Sequence, residues 1–245
     1  MILGGTAEAA ELAARAIGTH GQRLEVVSSL AGVTSTPVLP PGSVRRGGFG
    51  GAEGLARYLG AERIDFLIDA THPFAAVMQL SAAAAAAETG VKRCRLLRPA
   101  WPRLAGDAWT EVNGAPEAVR AVAGMGRRVF LALGGRDLQP FSALTGHWFL
   151  LRAITPPPEK LPANWEFLAA RGPFAVAGEL ALFQERRIDA VVSRQSGGGG
   201  AYGKIEAARQ LGLPVVMIQR PPPPPAPLAA TVDAALDWLG RAMKE

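Results

Sequence analysis

Glycines beside hydroxyl-bearing and basic residues mark three places in the first hundred residues where the chain could bind an anion. Residues 4–6 (GGT) stand between a short apolar run and a helix-forming segment, and Ser28-Ser29 ends a second apolar run. Residues 47–51 (GGFGG) directly follow two arginines. Glycine lets the backbone approach a phosphate closely, and a helix N-terminus presents free N–H groups to it. Residues 4–6 lack the full G-x-G-x-x-G fingerprint, so they also fit an ordinary strand-to-helix turn.

The second half of the chain contains a further candidate for anion binding. Residues 193–200 (SRQSGGGG) follow an apolar run and precede Lys204. The spacing from Gly198 to Lys204 matches a P-loop, but Ile205 stands where a P-loop needs Ser or Thr to hold Mg²⁺. A nucleotide triphosphatase is therefore disfavoured. A glycine loop flanked by arginine and lysine suits carboxylates as well as phosphates, and Arg171 could bind a carboxylate in a bidentate pair.

Residue types that usually perform acid–base or metal chemistry are sparse in this sequence. The single cysteine, Cys94, allows neither an intramolecular disulfide nor a cysteine metal cluster, and the three histidines show no ligand spacing. His72 lies in the turn 69–74 (DATHPF), where it could contact a ligand or simply cap the turn. Each tyrosine is followed four residues later by glutamate, which excludes the Tyr-x-x-x-Lys mechanism of short-chain dehydrogenases.

These candidates all lie in turns between apolar runs and helix-forming segments. Such alternation predicts an α/β fold: two domains with mainly parallel sheets flanked by helices, and an active-site cleft between them. We expect residues 1–100 to form the N-terminal domain and residues 101–245 the C-terminal domain, with the proline run 221–225 as a linker or strap and a helix over 228–243. The clearest buried strands are predicted at 24–28, 64–69, 128–133, 188–193 and 214–218.

The charge balance points to an anionic ligand. Lys and Arg total 26 and Asp and Glu total 21, which gives a formal net charge of +5. The basic residues are mostly arginines in ones and twos rather than a dense stripe, which favours a polyanionic small molecule over nucleic acid. No signal peptide and no bilayer-spanning run is visible, so we expect a cytoplasmic protein without a membrane partner.

Taken together, these segments resemble the precorrin-6A reductase family of cobalamin biosynthesis. The matching pieces occur in order over nearly the whole chain, and their combination is specific although each piece alone is not. They are ILGGTAEAAELA at 2–13, SSLAG at 28–32, VRRGGFGGAEGL at 44–55, IDFLIDATHPFA at 64–75, RGPF at 171–174, IDAVVSRQSGGGG at 188–200 and KIEAARQLGLPVVMIQRP at 204–221.

The resemblance implies two Rossmann-like domains and an NADPH-dependent reduction of one macrocycle double bond, from precorrin-6A to precorrin-6B. It implies neither a flavin nor a metal on the protein. In the N-terminal domain, the residues it assigns to NADPH are Gly4, Gly5, Thr6, Ser28, Ser29, Leu30, Ala31, Arg45, Arg46, Gly47, Gly48, Phe49, Gly50, Gly51, Ala70, Thr71, His72 and Pro73. In the C-terminal domain, those it assigns to the substrate are Arg171, Gly172, Ser193, Arg194, Ser196, Gly197, Gly198 and Lys204.

Two departures from the family pattern affect these assignments. Val33 stands where family members often have a basic residue, so either Arg45 or Arg46 binds the 2′-phosphate of NADPH in its place or the preference for NADP is weaker. Arg194 replaces the usual lysine, which keeps the positive charge but not the ability to donate a proton. The candidate catalytic proton donors are Lys204 and His72, with solvent as the alternative.

Three other functions are compatible with parts of this pattern. A reductase of a different polyanion would share the same glycine turns and the same basic residues. A cobalt-precorrin-6A reductase of the anaerobic route would differ only in its substrate. A nucleotide-binding module without catalysis would bind NADPH without oxidising it.

Overall fold

The computed structural model of the protein describes residues 1–32 and 39–244. The strands are β1 (Ile2–Leu3), β2 (Val27–Leu30), β3 (Ser43–Arg46), β4 (Phe66–Asp69), β5 (Lys92–Leu96), β6 (Trp109–Val112), β7 (Arg128–Ala132), β8 (Trp148–Ala153), β9 (Trp165–Ala169), β10 (Ala190–Arg194), β11 (Val215–Ile218) and β12 (Leu228–Ala229). The helices are α1 (Ala7–His20), α2 (Ala52–Ala61), α3 (Ala76–Thr89), α4 (Ala115–Val122), α5 (Val176–Glu185), α6 (Gly203–Gln210) and α7 (Val232–Ala242).

The chain forms two compact units, each built on its own six-stranded sheet. The first unit comprises Met1–Pro99 and Pro221–Glu245, and its strand order is β12-β5-β4-β1-β2-β3. The second unit comprises Ala100–Arg220, and its strand order is β6-β11-β10-β7-β8-β9. All neighbouring strands pair in parallel. The predicted α/β fold with parallel sheets and flanking helices is therefore confirmed.

Apolar side chains cover both faces of the first sheet. Leu12 of α1 and Leu239 of α7 pack with Ile68 in a buried cluster on one face. Leu55 of α2 and Leu67 of β4 belong to a second cluster with the buried alanines of α3 on the other face. Small residues along α3 allow that helix to approach α2 closely, which is the packing expected of an alanine-rich α/β layer.

The C-terminal segment departs from the predicted division of the chain. The sequence places residues 221–245 in the second domain and predicts a helix over 228–243, but Leu228–Ala229 form a strand that pairs with β5. Leu97 N donates a hydrogen bond to Ala229 O (2.9 Å), so this short strand completes the edge of the first sheet. The amphipathic helix α7 then buries its apolar face against α1. The chain returns to the first unit because α7 covers apolar residues of α1 that would otherwise be exposed to water.

Strand β9 (Trp165–Ala169) was also not predicted. It is a half-buried edge strand that follows a proline-rich stretch, so it has no run of buried residues like those of the central strands. Among the residues that the structure describes, no helix is both long enough and apolar enough to cross a membrane.

Candidate functional site

The first unit has a topological switch point between β1 and β4. From β1 the chain passes through α1 to β2 on one side, and from β4 it passes through α3 to β5 on the other. Open parallel sheets bind ligands at the strand C-terminal ends beside such a point. Thr6 Oγ1 donates a hydrogen bond to Ala70 O (2.9 Å) here. The small crevice at this place is lined by Thr6, Glu8, Ala70, Thr71, Pro73, Leu96, Leu97 and Arg98.

The turn from β1 into α1 has the backbone geometry of an anion-binding turn. Gly4 N donates a hydrogen bond to Ser29 O (2.9 Å). Gly5 adopts a φ of 103°, and a Cβ placed on it would meet no atom within 4 Å, so the position favours glycine and leaves the backbone open. Thr6 caps α1 by accepting a hydrogen bond from Ala9 N (3.1 Å). An exposed glycine at a helix N-terminus fits a pyrophosphate.

The glycine loop 47–51 is held in shape by Arg45. The Arg45 guanidinium donates hydrogen bonds to the carbonyl oxygens of Gly47 (2.5 Å) and Gly48 (2.7 Å). Its central carbon also lies 3.7 Å from the centroid of the Phe49 ring. These contacts commit Arg45 to the loop itself, so its first role is to order the backbone that would face a cofactor.

Helix α2 approaches the same loop at Gly54, a residue that the sequence analysis did not single out. A Cβ placed on Gly54 would lie 1.6 Å from Phe49 O, so no other residue fits there without displacing the loop. Gly47 N also donates a hydrogen bond to Leu30 O (2.9 Å), which joins the loop to the end of β2. A glycine inside a predicted helix was the available signal. Arg46, by contrast, has an exposed side chain.

The end of β2 contributes its backbone to the site. Ser28 and Ser29 are both buried within the sheet, and Ser28 Oγ has no hydrogen-bond partner among the described residues. Leu30 and Ala31 continue towards the surface. The prediction that the two serine hydroxyls contact a cofactor remains a prediction, and Val33 lies outside the described residues.

A buried ion pair supports the turn that follows β4. Arg95 Nη1 lies 2.6 Å from Asp69 Oδ1, and both side chains are fully buried. Thr71 Oγ1 donates to Asp69 Oδ1 (2.7 Å) and accepts from Arg95 Nη1 (3.0 Å), while Arg95 Nη2 donates to Thr71 O (3.1 Å). Burial lowers the pKa of Arg95, and the Asp69 carboxylate opposes this effect. The available signal was an arginine placed between two apolar residues, Cys94 and Leu96.

His72 takes part in the internal bonding of the same turn. Its Nδ1 accepts a hydrogen bond from Phe74 N (3.2 Å), so a neutral imidazole bonded in this way carries its proton on Nε2. The buried Gln79 donates to Pro73 O (2.9 Å) and so ties the turn to α3. Residues 69–74 are therefore fixed from both ends. The contact between His72 and a ligand remains a prediction.

The second unit has an equivalent switch point between β7 and β10. From β7 the chain continues to β8, and from β10 it passes through α6 to β11 on the opposite side. Arg194 Nη2 lies 2.6 Å from Asp137 Oδ2, which connects the loops that leave the two strands. Arg136 is exposed beside this pair, in a turn where Gly134 and Gly135 both have positive φ. Arg136 is not among the predicted substrate residues, although an arginine after a glycine pair at a strand end is a usable signal.

The structure brings together two segments that the sequence assigned to the substrate. Phe174 N donates a hydrogen bond to Gly200 O (3.1 Å), and a Cβ on Gly172 would lie 2.9 Å from the same oxygen. The segment 171–174 thus lies against the glycine loop 196–200. Arg171 is exposed next to this contact. An exposed arginine in this position can bind a carboxylate through a bidentate pair of hydrogen bonds.

Two of the predicted substrate residues, Ser193 and Ser196, are not exposed on the surface. Ser193 is fully buried, and its hydroxyl donates to Arg194 O (3.1 Å). Ser196 is half-buried, and the next two residues, Gly197 and Gly198, have φ values of 64° and 70°. The left-handed backbone at both positions explains why glycine is used there.

Lys204 is enclosed within the second unit. Its side chain is 3 % exposed, and Nζ donates a hydrogen bond to Ala201 O (2.7 Å) and lies 4.8 Å from the centroid of the Trp101 ring. Burial lowers its pKa to about 7; the nearby Arg152 lowers it further and Glu179 raises it. Arg152 and Glu179, which the sequence analysis missed, form a buried bidentate pair (2.5 and 2.8 Å).

The lowered pKa of Lys204 predicts a pH-dependent stability. An unfolded chain keeps this amine protonated up to its ordinary pKa of 10.5, whereas the folded chain releases the proton near pH 7. The free energy of unfolding of the wild type, minus that of Lys204→Met, should therefore rise between pH 7 and 10.5. The slope should approach about 1.4 kcal/mol per pH unit.

Urea unfolding at pH 7, 8 and 9 measures this difference. Lys160→Met, which replaces an exposed lysine of the same unit, is the control and should show a flat difference. A flat difference for Lys204→Met as well would contradict the lowered pKa.

The fold and the two sites define a class of protein. Two parallel sheets with glycine turns at their switch points form a two-unit Rossmann-like α/β protein, and each unit contains a buried arginine–carboxylate pair. The family model "Precorrin-6x reductase CbiJ/CobK" matches residues 1–240. The chain belongs to this family and is therefore an oxidoreductase; a reductase of this kind implies a nicotinamide cofactor.

Similar proteins agree with this membership. The precorrin-6A reductase of Rhodococcus erythropolis is 47 % identical over 243 residues, which cover 98 % of this chain and 96 % of the relative. A solved structure titled "CobK precorrin-6A reductase" superposes with a TM-score of 0.91 at 44 % identity and covers 98 % of this chain and 95 % of that one. The cobalt-precorrin-6A reductase of a Synechocystis species is 32 % identical and covers 68 % of this chain and 67 % of the relative.

Proposed function

We propose that this protein reduces one double bond of precorrin-6A with NADPH to give precorrin-6B in cobalamin biosynthesis. The observation that carries the proposal is the 47 % identity, over nearly the full length of both chains, to a relative named precorrin-6A reductase. The geometry is compatible with it, because each unit has a glycine-lined switch point and the charge of the chain suits a substrate edged with carboxylates.

The same comparisons favour the metal-free macrocycle over its cobalt-bearing equivalent. Relatives named precorrin-6A reductase are 43–47 % identical over nearly the whole chain. Those named cobalt-precorrin-6A reductase are 29–32 % identical over 68–69 % of it. We therefore take precorrin-6A without cobalt as the substrate.

The residues of the first unit would hold the cofactor. Gly5 and Thr6 present open backbone N–H groups at the start of α1 for the pyrophosphate, and residues 47–51 give a second glycine surface beside it. NADPH supplies the hydride when it is bound. The fixed turn 69–74 would place the nicotinamide at the strand ends, so that catalysis depends mainly on positioning.

The residues of the second unit would hold the substrate. Three arginines lie at the C-terminal ends of its strands: Arg194 ends β10, Arg136 follows β7 and Arg171 follows β9. A charge-assisted hydrogen bond contributes about 1.5–3 kcal/mol, so three of them would bind a polycarboxylate tightly. Lys204 is enclosed and bonded to Ala201, which leaves His72 and water as the proposed sources of the proton that follows the hydride.

The test is a reduction assay with purified substrate. Under anaerobic conditions, the protein should oxidise one NADPH for each precorrin-6A. The loss of NADPH absorbance and the change in the macrocycle spectrum measure this reaction. Another reductase would oxidise NADPH only with a different polyanion. A nucleotide-binding module would bind NADPH without oxidising it, and either result would refute the proposal.

Arg46 is expected to select NADPH over NADH. Its side chain is exposed at the end of β3, whereas Arg45 is committed to the glycine loop. Arg46→Met should raise the KM for NADPH about tenfold or more and leave the KM for NADH unchanged, since one charge-assisted bond to a 2′-phosphate is lost.

Arg45→Met is the comparison for this prediction. It should raise the KM for both NADPH and NADH, because it loosens the loop that both cofactors contact. Steady-state kinetics with the two cofactors gives all four values. If Arg46→Met raises the KM for NADPH and the KM for NADH by the same factor, the 2′-phosphate is bound elsewhere.

A further inference from the structure

Trp101 connects three parts of the second unit through hydrogen bonds. Its indole Nε1–H donates to Gly198 O (2.7 Å), inside the glycine loop 196–200. Its backbone N–H donates to Gln195 Oε1 (2.9 Å), and its backbone oxygen accepts from Gln195 Nε2 (3.1 Å). The side chain is 6 % exposed, so these bonds are shielded from water. One residue thus holds the loop at both its base and its middle.

The position of Trp101 is itself fixed by the sheet. Gln195 comes directly after β10, and its backbone N–H donates to Ile218 O (2.8 Å) of the neighbouring strand. Arg220 Nε donates to Gln195 O (2.7 Å). The amide of Gln195 then binds the backbone of Trp101 on both sides. The hydrogen bond from the indole therefore fixes Gly198 relative to the end of β10.

The glycine loop needs such an external restraint. Gly197 and Gly198 both adopt left-handed backbone angles, and glycine has more conformations to lose than any other residue. Fixing the carbonyl oxygen of Gly198 turns its peptide plane, and with it the N–H of the next residue, in one direction. Phe174 N holds Gly200 O in the same manner from the other side (3.1 Å).

We propose that Trp101 is a positioning residue, which holds the loop 196–200 in the conformation that binds the carboxylates of the substrate. This inference rests on the proposed function, in which that loop contacts the macrocycle. The bond from Nε1 to Gly198 is the part of Trp101 that performs this role. The indole ring performs a second, structural role by packing in the core beside Lys204.

Trp101→Phe separates the two roles, and Trp109→Phe is a matched control. Trp109 is a buried tryptophan of the same unit, at 7 % exposure, and its Nε1 has no hydrogen-bond partner among the described residues. Both variants lose similar volume from the same core, and only one loses a bond to the loop. We expect Trp101→Phe to raise the KM for precorrin-6A about tenfold, as the loss of one buried hydrogen bond would do, with kcat within about twofold of the wild type.

The dissociation constant for NADPH should be unchanged in both variants, and Trp109→Phe should keep the wild-type KM for precorrin-6A. An unchanged KM in Trp101→Phe, with wild-type reduction intact, would overturn the inference and leave the proposed function standing. Absence of precorrin-6A reduction by the wild type would instead overturn the proposed function, and this inference with it. If Trp101→Phe does not fold, Gln195→Met removes both anchors of Trp101, and the same increase in KM is expected from it; an unchanged KM there would equally overturn the inference.

Discussion

Alanine at position 54 should weaken NADPH binding severely, whereas alanine six residues later in the same helix should leave it intact. A Cβ on Gly54 would lie 1.6 Å from Phe49 O, far inside an ordinary contact distance. Leu55 and Leu59 are fully buried in the core of the first unit and hold α2 in place, so the loop 47–51 must move rather than the helix. A displacement of about 1 Å in a binding element can cost about a hundredfold, and this one is larger. We expect the dissociation constant for NADPH to rise at least about a hundredfold.

Gly60→Ala is the control for this prediction. Gly60 also lies in α2, but a Cβ on it would meet no atom within 4 Å, so the change should stabilise the first unit by up to about 1 kcal/mol. Fluorescence titration with NADPH gives the affinities, and urea unfolding followed by circular dichroism gives the stabilities. A Gly54→Ala protein that binds NADPH within threefold of the wild type would show that the loop 47–51 does not contact the cofactor.

The sequence was most informative where strands are buried on both faces. Long apolar runs such as 128–133 and 188–193 lie within a few residues of β7 and β10, because a central parallel strand must be apolar on both sides. The failures are at the sheet edges. Strand β9 is only half-buried and β12 has only two residues, and pairing with a neighbour, rather than their own pattern, makes them strands. The return of the chain to the first unit could not be predicted for the same reason.

The glycine turns of the candidate sites are visible in the sequence because their backbone conformation limits the residue type. Gly5, Gly47 and Gly197 occupy positive φ angles, and this requirement is visible in the sequence as glycine. The buried residues behind them were missed. Arg152 and Glu179 lie 27 positions apart, and nothing in either local segment indicates that they meet. Long-range ion pairs of this kind depend on how the elements pack.

Both units contain a buried ion pair between a carboxylate and a guanidinium group. Asp69 and Arg95 in the first unit, and Arg152 and Glu179 in the second, are carboxylate–guanidinium pairs removed from water. A buried pair of this kind adds little net stability, because desolvation offsets much of the attraction. Its geometric precision is the greater gain: the Asp69–Arg95 pair fixes the backbone at the end of β4, and the Arg152–Glu179 pair joins β8 to α5. Removing one partner should therefore be far more costly than the net contribution of the pair.

Glu179→Gln should accordingly destabilise the second unit by about 3–5 kcal/mol. The change removes the carboxylate that accepts two hydrogen bonds from Arg152, and it leaves that guanidinium and Lys204 together without an anion. The loss should shrink as the pH rises through 7. Glu179 raises the pKa of Lys204, so its charge helps only while the amine is protonated. Tryptophan fluorescence during urea unfolding reports on this unit, which contains four of the five tryptophans.

Glu185→Gln is the matched control, because it changes the same residue type in the same helix. Glu185 is exposed and lies 3.3 Å from Arg186, and such surface pairs contribute between about 0 and 1 kcal/mol. If both variants lose a similar small amount, then Arg152 is not held by its carboxylate partner. Suppose instead that only Glu179→Gln lowers the free energy of unfolding and that this loss diminishes above pH 7. Arg152, Glu179 and Lys204 then form one buried cluster whose charges interact.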